Sequence, residues 1–179
     1  ERQIEDQLAS NSIFAIGEFN YWVRKLQARF FAGDLAAAIE AASRAQRLLS
    51  MAPPAIEVAE YHFFGALSLA ASCDSADSDE RASHREALAA HQSQLGIWAD
   101  QCPENFENWA ALVAAEIARL EARDLDAMRL YDRAIRSAQA NDFVHYEALA
   151  NELAGRFYTQ HGCEEIARLY LRTARHAYV

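Results

Sequence analysis

Residues that build strands, loops and cross-links are scarce in this 179-residue chain. Five valines and two threonines leave little β-branched material for a sheet. Six glycines and three prolines allow only a few breaks in an otherwise continuous helical pattern. The three cysteines, Cys73, Cys102 and Cys163, are odd in number, far apart and outside any Cys-x-x-Cys spacing. That excludes a disulfide framework and suits a reducing cytoplasm. No apolar run approaches the ~20 residues needed to span a bilayer, so no membrane is expected as a partner. No secretory leader is expected either. Lys25 is the only lysine, and 26 acidic residues against 17 basic ones leave a net charge of −9. Such a chain repels a phosphate backbone, and nucleic acid is not expected as a partner. Arg129, Arg133 and Arg136 do share one helical face, but Asp126 and Asp132 lie among them, which reads as a solvated, ion-paired surface.

What the chain has is alanine, at 38 positions. Together with leucine, arginine and glutamate this composition favours helix throughout. A junction pattern then recurs. Gly33, Ala122 and Gly162 are each followed by residues at offsets +5, +9 and +12: Ala38, Ala42 and Ala45; Ala127, Tyr131 and Ala134; Ala167, Leu171 and Ala174. One helix ends in a tight turn and the next folds back, with small residues where the two cross. The expected fold is all-α: a right-handed α-solenoid of about four stacked antiparallel hairpins, residues 13–51, 55–101, 104–141 and 144–178.

The walk along the chain gives a short helix over residues 1–8, a break at 10–12, and a buried apolar stripe over 13–31. Asp34 is placed to cap the second helix, and Pro53-Pro54 to pre-set the first turn of the third, over 55–72. Residues 73–79, Cys-Asp-Ser-Ala-Asp-Ser-Asp, read as a flexible stretch, too polar to order itself. They lack the glycine and distal glutamate of a calcium loop. Pro103 and Glu104 mark the start of the fifth helix. Asn141-Asp142 breaks the sixth, and Gly162 takes the positive φ of the last turn. The first residue is not Met and residues 174–179 still follow a helical pattern, so a piece of a larger protein is expected.

The last unit is similar to the tetratricopeptide repeat. Gly155, Tyr158, Gly162, Ala167, Leu171 and Ala174 fall at its offsets 8, 11, 15, 20, 24 and 27. The first unit supplies Trp22, Gly33, Ala38 and Ala45 at offsets 4, 15, 20 and 27, and departs at Lys25, Leu26 and Arg29. A narrower resemblance runs from Asn20 to the C-terminus. It is carried by Tyr61-His62-Phe63-Phe64-Gly65-Ala66-Leu67, Trp98-Ala99-Asp100-Gln101-Cys102-Pro103-Glu104-Asn105-Phe106, Ala127-Met128-Arg129-Leu130-Tyr131-Asp132-Arg133-Ala134-Ile135 and Glu147-Ala148-Leu149-Ala150-Asn151-Glu152-Leu153-Ala154-Gly155-Arg156-Phe157-Tyr158. These resemble the helical region of very large bacterial signalling proteins. Such proteins join a serine/threonine-kinase-like domain and an ATPase domain to that region, followed by a GAF sensor and a histidine kinase. The resemblance implies a place in a signalling protein rather than an activity of this segment, because the catalytic residues of the family lie outside it.

The residues themselves show no catalytic motif. There is no phosphate loop, no His-Arg-Asp loop and no His-Glu-x-x-His. His84 and His91 lie two turns apart, about 10 Å, too far to share one metal ion, and read as surface histidines. His161 and Cys163 read as parts of a turn. Glu116 reads as an ion-pair partner of Arg119 and Arg123. No cofactor, metal or independent enzymatic activity is expected.

Binding residues are expected on the first helix of each hairpin, at repeat offsets 2, 5, 9, 12 and 13. Those positions are Asn20, Val23, Gln27, Phe30 and Phe31; Trp109, Leu112, Glu116, Arg119 and Leu120; and Leu149, Glu152, Arg156, Thr159 and Gln160. Aromatic anchors mixed with charges suit a peptide or another domain. The expected function is a non-catalytic interaction and linker module of a bacterial, cytoplasmic signal-transduction kinase, contacting neighbouring domains of the same polypeptide or a protein partner. Two other readings stand beside it. One is a small-molecule sensor with a ligand among Trp109, Leu112 and Phe30. The other is self-association through end aromatics such as Phe14, Phe19, Tyr170 and Tyr178.

Overall fold

A computed structural model describes Glu5 and residues 15–178. Apart from Glu5, the expected first helix, the break at 10–12 and Phe14 lie outside the described residues. The described residues are all-α. Their helices are α1 (Ala15–Phe31), α2 (Leu35–Leu48), α3 (Ile56–Ser72), α4 (Ser78–Gln101), α5 (Pro103–Leu120), α6 (Asp124–Ala140), α7 (Val144–Gln160) and α8 (Glu164–Ala177), with a 3-10 turn at Leu49–Met51. They form two compact units, Glu1–His91 and Gln92–Val179, whose boundary falls inside α4.

Four junctions share one hydrogen-bonding pattern. At each, a residue with positive φ ends a helix: Gly33 at 73°, Ala122 at 55°, Asp142 at 59° and Gly162 at 71°. The amide of the following residue donates five positions back: Asp34 to Arg29 at 3.0 Å, Arg123 to Ala118 at 2.9 Å, Phe143 to Ala138 at 2.9 Å and Cys163 to Tyr158 at 2.9 Å. The positive-φ residue donates three back, to Phe30, Arg119, Gln139 and Thr159 respectively. This double bond is the Schellman motif, which satisfies carbonyls the helix end would leave open. Asp142, expected only as a break, is thus a fourth copy of the junction.

In the first unit α1 and α2 form a hairpin that carries α3 against both. Ala38, Ala41 and Ala45 are the buried residues of α2, and their small side chains let the helices approach. Asp34 caps α2 by accepting the Ala37 amide at 3.3 Å. Beyond its first two turns α3 is largely apolar, and residues 63–70 are buried without interruption, as expected of a helix enclosed by others. Phe64 meets Phe30 and Phe31, each with ring centroids 5.7 Å away, and Phe19 meets Tyr61 at 6.3 Å.

Two details differ from expectation. Pro53 and Pro54 lie before the extended N-cap residue Ala55, so they shape the connection and not the first turn of α3. Residues 73–79 are a compact turn. Cys73 and Ala76 are buried, and Arg81 donates to the Cys73 carbonyl and to the Ala76 carbonyl, both at 3.0 Å. Asp77 caps α4 by accepting the Asp79 and Glu80 amides at 3.0 and 2.9 Å. Local capping and one guanidinium order a segment whose composition alone could not.

In the second unit the α5/α6 and α7/α8 hairpins pack in sequence order, with α6 against α7. Pro103 opens α5 at its first turn and Glu104 lies in the same turn. Tyr131 packs on Phe157 at 5.5 Å, Trp109 on Tyr146 at 5.0 Å, and Tyr158 stacks on Tyr170 at 5.3 Å with rings 11° apart.

Candidate functional site

The expected binding residues divide between surface and core. In the first unit Phe31 is 52% exposed, Gln27 and Phe30 are half-buried, and Val23 is fully buried. Arg24 donates to Gln27 at 3.2 Å and to Glu60 at 2.9 Å, which ties the exposed edge of α1 to α3. In the second unit Trp109, Leu112 and Glu116 are buried, whereas Arg119 and Glu152 are half-buried and Arg156 is exposed. Arg156 pairs with Glu152, and the Tyr178 hydroxyl donates to the same carboxylate at 3.2 Å. Val23, Trp109, Leu112 and Glu116 therefore pack inside their units and do not line an open surface. Trp109 shows the reason, since it packs on Tyr146 of α7 and its face of α5 is covered by the neighbouring hairpin. Phe19, expected at an exposed end, is likewise buried.

Glu116 is held between two donors. Arg119 Nε donates to its Oε2 at 2.9 Å, and the Tyr131 hydroxyl donates to Oε1. Arg123 does not join them; it pairs with Glu121 and Asp126, each at 2.8 Å. Burial and the adjacent carboxylate push the Tyr131 phenol far above its ordinary range. The phenol therefore stays a donor, and the cluster is a satisfied buried network that braces α5 on α6.

The arginine face of α6 is ion-paired as expected. Arg133 reaches Glu107 at 2.7 Å, Arg129 reaches Asp126 at 3.8 Å, and Arg136 pairs with Asp132. His161 also behaves as a turn residue, its Nδ1 lying 2.8 Å from the Phe157 carbonyl and its Nε2 3.3 Å from Asp124.

The histidines of α4 are the main correction. His84 and His91 are buried, not on the surface. With Leu88 and Leu95 they form the inward stripe of α4, at spacings of four, three and four. His91 packs over Gly65, where an added Cβ would lie 3.1 Å from its Nε2. Its Nδ1 lies 3.0 Å from Nδ1 of His62 on α3. The two rings are nearly perpendicular, at 79°, with centroids 5.0 Å apart. Tyr61 packs edge-on against both rings.

These three side chains line a cleft of about 210 Å³ in the first unit, walled by Ile39, Ala42 and Leu49 on one side and Ala87 and Ala90 on the other. Burial pushes both imidazoles down to about 4, so each is neutral at pH 7. It pushes the Tyr61 phenol up to about 12. Among the described residues no carboxylate, lysine or arginine lines this cleft. Nothing in sequence spacing links His62 to His91, which are 29 residues apart on different helices. The glycine at position 65 was the available signal, because it makes room for a ring from a neighbouring helix.

Among the described residues no group of three or more His, Cys, Asp or Glu side chains is placed to hold a metal ion. No described helix is long and apolar enough to cross a membrane. The described residues thus define an all-helical protein of stacked hairpins. No family model, curated protein or solved structure matches the chain.

Proposed function

We propose that this chain is a non-catalytic interaction and linker module of a bacterial, cytoplasmic signal-transduction kinase, with neighbouring domains of the same polypeptide or a protein partner as its contacts. The observation that carries this reading is the surface of α8. Ile166, Leu169 and Leu171 are 42%, 55% and 40% exposed, while only Ala167 and Ala174 of that helix are buried. By the junction register, Leu171 and Tyr178 correspond to Tyr131 and Ala138 of α6. Tyr131 and Ala138 are buried, and Tyr131 packs on Phe157 of the following helix. An exposed apolar counterpart of a covered surface supports a role in protein contact. The signalling context rests on the resemblance of the motifs described above.

The test is deletion of the α7/α8 hairpin in a parent kinase. Loss of regulation with intact isolated kinase chemistry is the expected result. Unaltered regulation would refute the reading.

A further inference from the structure

We propose that His62 and His91 form a two-imidazole chelate for a divalent transition ion of the zinc or copper class, with water completing its coordination. The inference rests on geometry within the first unit. Two imidazole nitrogens bound tetrahedrally at about 2.0–2.1 Å from one ion lie about 3.3 Å apart, with ring centres about 5.2 Å apart. The observed separations are 3.0 Å and 5.0 Å. An opening of roughly 0.3 Å, within the reach of small χ adjustments, converts the pair from a hydrogen bond to a chelate.

The chemistry of the pair agrees. Metal ligation requires unprotonated nitrogen, and both rings are neutral at pH 7. One of them donates Nδ1–H to the other in the metal-free protein. On binding, that proton moves to Nε2 of the same ring, so both Nδ1 lone pairs face the ion and no net proton is released. The cleft between α2 and α4 leaves room for water on the open side, where Ser43 and Gln46 stand. Imidazole favours zinc, copper and nickel. The described residues around the cleft include no carboxylate, which disfavours calcium and magnesium, since these need oxygen ligands. Two protein ligands and a neutral lining suit an exchangeable ion rather than a permanently held one.

The experiment is calorimetric titration of the full 179-residue chain with Zn²⁺, repeated with Cu²⁺. One site is expected, weakened roughly tenfold or more by His62→Ala or His91→Gln, at least the loss seen when a supporting partner of a metal ligand is removed. It should persist in His145→Ala, His176→Ala and the Cys102→Ser/Cys163→Ser double variant. If His91→Gln fails to fold, long-range ¹H–¹⁵N spectra of the unmutated chain report instead, with Zn²⁺ expected to shift the Nδ1 signals of His62 and His91. Binding that survives in His62→Ala, binding lost with the exposed histidines or cysteines, or unmoved Nδ1 signals would each overturn the proposal.

Discussion

A Cβ added to Gly155 on α7 would lie 2.7 Å from Cγ of Leu171 on α8. The crossing of these helices is therefore set by the missing side chain of one residue and the branched side chain of the other. At the corresponding positions of the preceding hairpin stand Ala115 and Tyr131, both fully buried or nearly so. In the first hairpin Leu26 and Ala42 stand there, with large and small exchanged. Each crossing thus sets one small residue against one larger one, in either order.

Gly155→Ala is expected to destabilise the chain by about 1 kcal/mol, since overpacking outweighs the 0.5–1 kcal/mol gained in helix propensity. In a Leu171→Ala background the same change should become stabilising, because the clash is gone and the propensity gain remains. Urea unfolding of the four chains closes the cycle. Equal effects in both backgrounds would show that Gly155 and Leu171 do not set the crossing.

The Glu116 network gives a second test. Tyr131→Phe removes one donor from a buried carboxylate, and a loss of about 1–3 kcal/mol is expected. Glu116→Ala should cost more, about 3–5 kcal/mol, because it breaks the ion pair with Arg119 and removes the acceptor of the buried Tyr131 hydroxyl as well. Chemical denaturation of both variants checks the order. A Tyr131→Phe chain as stable as the original would mean the phenol does not serve the carboxylate.

Most of the helix boundaries were legible because they rest on local signals. The spans of α6 and α7 follow from caps and turn residues within a few positions of each end, and Asp34 and Pro103 act where their chemistry places them. The candidate sites were less legible, because burial is a tertiary property. Offsets from a repeat place Val23, Trp109 and Leu112 on the first helix of a hairpin. They do not say how much of that helix the neighbouring helices cover. His62 and His91 are joined only by the packing of α3 on α4, and no periodicity in either helix records which residues will face across that gap.

Glu107 supplies the pH dependence. Arg133 donates to one of its oxygens from both Nε and Nη2, at 2.9 and 2.7 Å, and this holds the carboxyl below its ordinary value against a smaller desolvation effect. A carboxyl depressed in the folded state adds stability above its unfolded pKa and loses it as pH falls through the folded one. The pair is solvent-exposed, so less than about 1 kcal/mol is at stake. Arg133→Ala should therefore be slightly less stable at pH 7, equal to the original chain near pH 2, and should raise the Glu107 pKa in a carboxyl-detected NMR titration. An unmoved Glu107 would discard the pairing.

The four Schellman junctions differ in the residue that bears the positive φ, and that difference sets the last prediction. Left-handed backbone costs an L-residue about 1–2 kcal/mol, least for Asn and Asp, and nothing for glycine. Gly33 and Gly162 meet no atom within 4 Å of an added Cβ, so Gly33→Ala and Gly162→Ala should lose about 1 kcal/mol each from backbone strain alone. Ala122 already bears that strain at φ 55°, and Ala122→Gly should gain up to about 1 kcal/mol despite the added entropy of the unfolded chain. Asp142→Gly should change stability least, because aspartate tolerates this conformation. Thermal and urea unfolding of the four single variants would establish the order. If Ala122→Gly lost stability while Gly33→Ala gained it, the shared junction geometry would be wrong.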